Sequence, residues 1–213
     1  MLIRTSLLLM ALASAAQAQD RWQVGLSLDQ TNARSEAIAG LFSLESKGTT
    51  GFGLMGAYDA APLKGAMLRI TAGVRFEGKG DLVASEGPFS LKFGDAKQSH
   101  ISLGAEVAWK LPLEVGVGLQ LRQERIRWTT VEDADVVPGS STSQLRPWLT
   151  AHLGHSWKAG SLQPFVRGGV ALALTRTRMP GLEDQRPESE IGQDVAKALA
   201  PTLDLNLQVG LRF

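Results

Sequence analysis

The chain contains no cysteine. That excludes a thiol nucleophile, a disulfide frame and a lipid-anchored cysteine behind a leader. An excess of charge of one sign is also missing. Setting aside Arg4 from the 22 Lys and Arg leaves 21 bases against 21 acids, so nothing marks a nucleic-acid surface. Long helical periodicity is absent. Beyond the first twenty residues, no run approaches the about 18 apolar residues that a membrane-spanning helix needs. The three histidines, His100, His152 and His155, are not grouped, which leaves zinc without a ligand set. What the chain does have is glycine, 23 of them, and short alternating runs, which together point to an all-β fold.

The front end reads as an export signal. Arg4 supplies a positive charge, LLLMALASAA an apolar core, and Ala16-Gln17-Ala18 a small-x-small cleavage site. Residues 1–18 are therefore expected to be a signal peptide, and 19–213 a single domain.

Eight segments alternate with a period of two: 21–30, 51–60, 67–76, 100–111, 113–124, 145–157, 163–175 and 204–213. Their connections are long and short by turns. The short ones include DAAPLK and the turn at Pro112; the longest runs from Arg176 to Pro201. An even set of antiparallel strands with short turns at one end and long loops at the other is the pattern of an up-and-down transmembrane β-barrel. Its turns are periplasmic and its long loops extracellular.

Period alone does not say which face meets lipid, because a soluble barrel would turn its apolar face inward. Three features favour lipid on the apolar side. The leader exports the chain. Large aromatics fall at strand ends on the apolar face, with Trp22, Tyr58, Trp109, Trp157 and Phe213 at the turn end and Phe52 and Phe76 at the loop end. The opposite face combines glycine with long charged side chains, which an eight-stranded lumen can hold. That lumen network is expected to contain Arg69, Arg75, Glu106, Lys110, Glu114, Arg122, Glu124, Arg146, Arg167, Asp204 and Arg212. With Arg21 and Asp29 added, the inward face counts eight bases against five acids. Charges in so narrow a lumen should pair and lock rather than conduct, although the excess of bases would favour a trickle of anions. A porin's water-filled channel takes about 16 strands.

The chain resembles the small eight-stranded outer-membrane barrels of the OmpX, Ail and opacity-protein type. The resemblance spans Trp22 to Phe213 and rests on pattern, except at the ending DLNLQVGLRF. There Leu207, Val209, Leu211 and Phe213 match the alternating apolar strand with terminal aromatic that the family's barrel-assembly machinery recognises. The resemblance implies insertion in the outer membrane of a Gram-negative-type bacterium, escort by periplasmic chaperones, and contact with outer-membrane lipid and lipopolysaccharide. It names no task.

Little chemistry is legible. Some outer-membrane lipid A deacylases use His-x-Ser with a distant Glu, and His100 and Ser102 have that spacing. Here the pair faces the lumen rather than lipid, and Glu114 lies ten or more residues of strand away, out of hydrogen-bond range at about 3.3 Å per residue. Two acidic runs, Glu132-Asp133-Ala134-Asp135 and the set Glu183, Asp184, Glu188, Glu190 and Asp194, lack calcium-loop spacing and read as solvated loop charge. No cofactor or metal is expected. SEIGQDVAKALAP places Ile191, Val195 and Leu199 at i, i+4, i+8, with Ser189 placed to cap and Pro201 to stop, and predicts a short amphipathic helix over the barrel mouth. The expectation is a non-enzymatic surface barrel that presents its loops for envelope structure, binding or adhesion. A small-solute pore or ligand-carrying barrel and an outer-membrane lipid A-modifying enzyme stand as alternatives.

Overall fold

The computed structural model describes residues 21–32, 34–38, 42–86, 88–130, 140–159, 161–175 and 190–213. Within them lie ten strands and one helix. In chain order they are β1 (Trp22–Thr31), β2 (Arg34–Ile38), β3 (Phe42–Ser46), β4 (Thr50–Leu63), β5 (Ala66–Glu86), β6 (Phe89–Lys110), β7 (Glu114–Thr130), β8 (Ser140–Ser156), β9 (Gln163–Ala173), α1 (Glu190–Leu199) and β10 (Leu203–Arg212).

Eight strands close into an antiparallel ring. Hydrogen bonding runs β5-β4-β1-β10-β9-β8-β7-β6, and β6 pairs back onto β5. The seam joins the ends of the chain: β1 and β10 pair from Gln23↔Arg212 to Thr31↔Asp204. Trp22 and Phe213 then exchange backbone hydrogen bonds of 3.0 and 2.9 Å. Closure leaves no strand edge in the ring, which is what lets a sheet cross hydrocarbon.

The outward face carries the apolar set. Phe52 is 69% exposed, Ile101 62%, Leu103 62% and Leu26 59%, while Arg69 and Arg146 on the other face are 0% exposed. A protein surrounded by water shows the reverse: charges outside and no continuous apolar girdle. The chain is an eight-stranded antiparallel transmembrane β-barrel. Its aromatics cap the strand ends as the alternation requires, with the Trp22 and Tyr58 rings 4.7 Å apart at the turn end.

At the loop end the strands run further than the apolar alternation does. The stretch from Glu77 to Ser99 reads as a loop in the sequence. It is instead ordered as the upper parts of β5 and β6, which pair out to Glu86↔Phe89. Past the hydrocarbon layer the outward face leaves apolar surroundings, so its residues become Lys79, Asp81 and Lys97, and the apolar signal of a strand is lost although the ladder continues. A β-bulge between Arg75 and Gly78 also shifts the phase: Phe76 and Glu77 are both exposed, and beyond them even-numbered residues point inward. Leu82 is thereby turned into the barrel. The connection after β1 likewise contains the β2–β3 hairpin, and β3 pairs with β5 from Ser43↔Ser85 to Ser46↔Leu82. On the exposed β5–β6 hairpin, Lys92 sits 2.9 Å from both Asp81 and Asp95, and its hydrogen bond pulls the Asp81 carboxyl below its ordinary pKa.

At the other end the links are tight. β4 and β5 are joined through Lys64-Gly65, and Gly65 takes φ 77°, a left-handed conformation a side chain would strain. The leader and the acidic positions 132–135, 183, 184 and 188, together with Ser189, lie outside the described residues.

The lipid-facing surface should show a depth profile. Leu207→Arg, at mid-strand, is expected to cost about 2–4 kcal/mol in urea unfolding from vesicles, and Leu111→Arg at the turn-end rim about 0–1 kcal/mol. Equal costs would mean that no hydrocarbon surrounds the barrel.

Candidate functional site: the lumen and its outer mouth

Inward positions on neighbouring strands stack in levels, each with its own chemistry. At the turn end Arg69 on β5 is the hub. Its Nε donates to Asp59 Oδ1 at 2.7 Å, and its Nη1 to Glu106 Oε1 at 2.8 Å and Glu114 Oε1 at 2.9 Å. Glu114, the first residue of β7, also pairs with Arg167 Nη2 at 2.6 Å. Arg212 reaches Asp59. His152 Nδ1 lies 3.3 Å from Glu106 Oε2. Its ring lies over Gly116, the residue directly across on β7, where any Cβ would collide with the imidazole. The knot thus ties β4, β5, β6, β7, β8, β9 and β10 together across the bore.

Above it lies a cavity of about 70 Å³ lined by Asp29, Arg75, His100, Ser102, Arg122 and Asn206 among others. A water needs roughly 10–15 Å³, so the space has room for a few waters. Arg75 closes its upper side through Thr49, donating to the carbonyl at 2.8 Å and to the hydroxyl at 2.9 Å.

A second knot follows, centred on Glu124. It accepts from Arg146 Nε at 2.8 Å, Gln144 Nε2 at 3.1 Å and Trp148 Nε1 at 2.8 Å. Arg122 and Arg146 lie against the Trp148 ring, their guanidinium carbons 4.4 and 5.0 Å from its centroid. Such cation–π contacts strengthen when, as here, the ring is fully buried. Arg122 also pairs with Asp204 at 2.6 Å.

The outer mouth is apolar. Leu44, Leu82, Ala96, Ile126 and Trp128 pack against Val195, Ala198, Leu199 and Ala200. The helix predicted over the mouth is therefore present as α1, and it is seated in the opening. The last carbonyl of the helix, which no helical partner satisfies, is met from the barrel wall: Gln98 Nε2 donates to Leu199 O at 2.7 Å. Two residues beyond the helix, Arg146 Nη2 donates to Pro201 O at 2.7 Å.

The structure corrects the charge count. Arg21 and Lys110 are exposed, because the strands end there and the rim opens to water. Lys110 is thus outside the buried network in which it was expected. Asp59, read as part of a turn, lies within β4, and its parity after outward Tyr58 turns it into the bore. Among the described residues the buried charges are then six arginines (69, 75, 122, 146, 167, 212) and six carboxylates (29, 59, 106, 114, 124, 204). Their formal charges balance, and the base excess expected to favour anions is not found among them.

Trp148, Trp128 and Gln23 were missed as lumen residues, though each is buried and of inward parity. For Gln23 and Trp148 the signal was the same alternation that assigned Leu149 outward; Trp128 lies past the 113–124 segment, on the part of β7 that reads as a loop. His100 and Ser102 share the cavity, but Glu114 is engaged with Arg69 and Arg167 in the level below, so these three are not brought together. Among the described residues no group of His, Asp and Glu is arranged to hold a metal.

The hub should behave as a buried charge cluster does. Arg69→Met is expected to cost about 3–5 kcal/mol in unfolding, since it strands carboxylates rather than merely removing a contact. Adding Glu114→Gln should recover part of that loss. A double variant no better than the sum of the two singles would mean the cluster is not coupled.

Among solved structures the chain is similar to the outer membrane protein OprG from Pseudomonas aeruginosa. The two are 12% identical, with 90% of this chain and 94% of that one covered and a TM-score of 0.50. A major outer membrane protein from Thermus thermophilus is 16% identical, covering 89% and 99% at a TM-score of 0.47. Neisserial surface protein A is 13% identical, covering 90% and 95% at 0.44. No family model and no curated protein matches the chain. At such identities the likeness to OprG is one of fold, the eight-stranded outer-membrane barrel.

Proposed function

We propose that the chain is a non-enzymatic surface protein of the outer membrane, in which a rigid barrel presents its strand extensions and loops for binding, adhesion or envelope structure. One observation carries this reading: among the described residues two knots of paired charge cross the bore, the space left between them is only about 70 Å³, and the outer mouth is stopped by α1. A barrel built that way transmits nothing and holds its outer surface still. Export by residues 1–18 and recognition of Leu207, Val209, Leu211 and Phe213 by barrel-assembly factors, with chaperone escort, complete the proposal. The aromatics Trp22, Phe52, Tyr58, Phe76, Trp109, Trp157 and Phe213 then sit at the two lipid interfaces, and the buried arginine–carboxylate network serves as a structural lock.

Planar lipid bilayers test it first. The purified barrel should give no resolved conductance steps, whereas steady steps would replace this reading with that of a small-solute pore. Lipid A from cells expressing the chain should keep its mass; a shift would assign an enzyme. Moving the outer loops onto another barrel should carry any surface-binding activity with them, and retention of that activity by the loopless barrel would remove the loops from the role.

A further inference from the structure

Like charges face one another directly on the outward side of the strand extensions. Lys79 on β5 is the register partner of Lys97 on β6, and Lys97 that of Arg127 on β7. Arg125 lies two residues below Arg127 on the same face. Directly opposed residues on one face hold their Cβ atoms roughly 4.5–5.5 Å apart, and like charges so placed destabilise the sheet. Among the described residues one acid answers this row, Glu77, which pairs with Arg127. The two acids just above, Asp81 and Asp95, also face each other, but Lys92 bridges them. The acidic pair is neutralised from within the chain; the basic row keeps its repulsion.

Its position is specific. The last exposed apolar residues below it are Phe76, Ile101 and Leu121. Four residues of strand, at about 3.3 Å each and tilted, put Lys97 and Arg125 roughly 10 Å higher, at headgroup level. Elsewhere around the barrel the corresponding outward positions are uncharged, as at Gln30, Thr50, Ser141 and Ser143. The long side chains can bend down toward the lipid surface.

We propose that Lys79, Lys97, Arg125 and Arg127 form a binding site for the phosphate of a phosphomonoester-bearing lipid headgroup in the leaflet at the loop end. A doubly charged phosphate offers acceptors to several cations at once and removes the repulsion the row otherwise carries. The site deepens the outer-membrane reading and rests on it for the identity of that leaflet.

Native mass spectrometry of the folded barrel in neutral detergent tests the site, with lipid A and dephosphorylated lipid A as probes. The wild-type barrel should bind lipid A about thirtyfold more tightly than the dephosphorylated form, each of the two lysines supplying part of that factor. K79Q/K97Q should weaken the preference and K79Q/K97Q/R125Q/R127Q should abolish it, whereas K92Q, which alters only the neutralised acidic pair, should keep it. Equal binding of the two lipids by the wild-type barrel would overturn the site, whatever the variants do. So would equal loss in K92Q, or displacement of lipid A by inorganic phosphate at matching concentration, which would mark a soluble-anion site instead. The micelle experiment does not depend on where the chain resides. Fractionation away from the outer membrane would remove the location while leaving the binding result standing.

Discussion

A guanidinium enclosed in a bore must find acceptors there, and for five of the six buried arginines these include a carboxylate; that requirement organises this barrel. Each of the six buried arginines comes from a strand whose opposite face is committed to hydrocarbon, so none can turn outward. Arg69 meets it with three acids from β4, β6 and β7. Because the acids come from different strands, satisfying the charge also fixes the strands' relative heights. A one-residue slip would move every charge of the slipped strand to the lipid side. Packing, register and electrostatics are here a single constraint.

The two knots divide the work between them. The lower one, around Arg69 and Glu114, spans the bore where the strands are tied by short turns. The upper one, around Glu124 and Trp148, hands over to an apolar stopper through Arg146, which touches both the knot and the Pro201 carbonyl. A helix of ten residues is marginal alone; α1 is held because Gln98 and Arg146 meet its end and Trp128, Ile126 and Leu82 meet its face. The stiffness of the wall is thus extended to the segment that follows the longest loop.

Much of this was legible in the sequence. Strict alternation located the eight membrane-crossing strands and assigned their faces, and the i, i+4, i+8 apolar spacing located α1. Two things were harder to read, for physical reasons. The outer halves of β5 and β6 lose the apolar signature because their outward side leaves apolar surroundings, and the bulge after Arg75 shifts the phase so that Leu82 falls out of pattern. Asp59 and Trp148 were in pattern yet overlooked: one stood beside a turn sequence, and the other is apolar on a face read as charged. The balance of the lumen turned on three residues at strand ends: Asp59 joins the acids while Arg21 and Lys110 leave the bases, and together they remove the inferred selectivity.

The pairing of β1 with β10 also governs when the molecule can exist at all. β1 is made before β10 and must wait for it, so no product that stops short of β10 can complete the circle of backbone hydrogen bonds. Synthesis and closure are separate events in time. Between them the chain carries a full complement of leucine-rich ribbon with no hydrocarbon to cover it, and the interval must be bridged by whatever solvent or protein receives it.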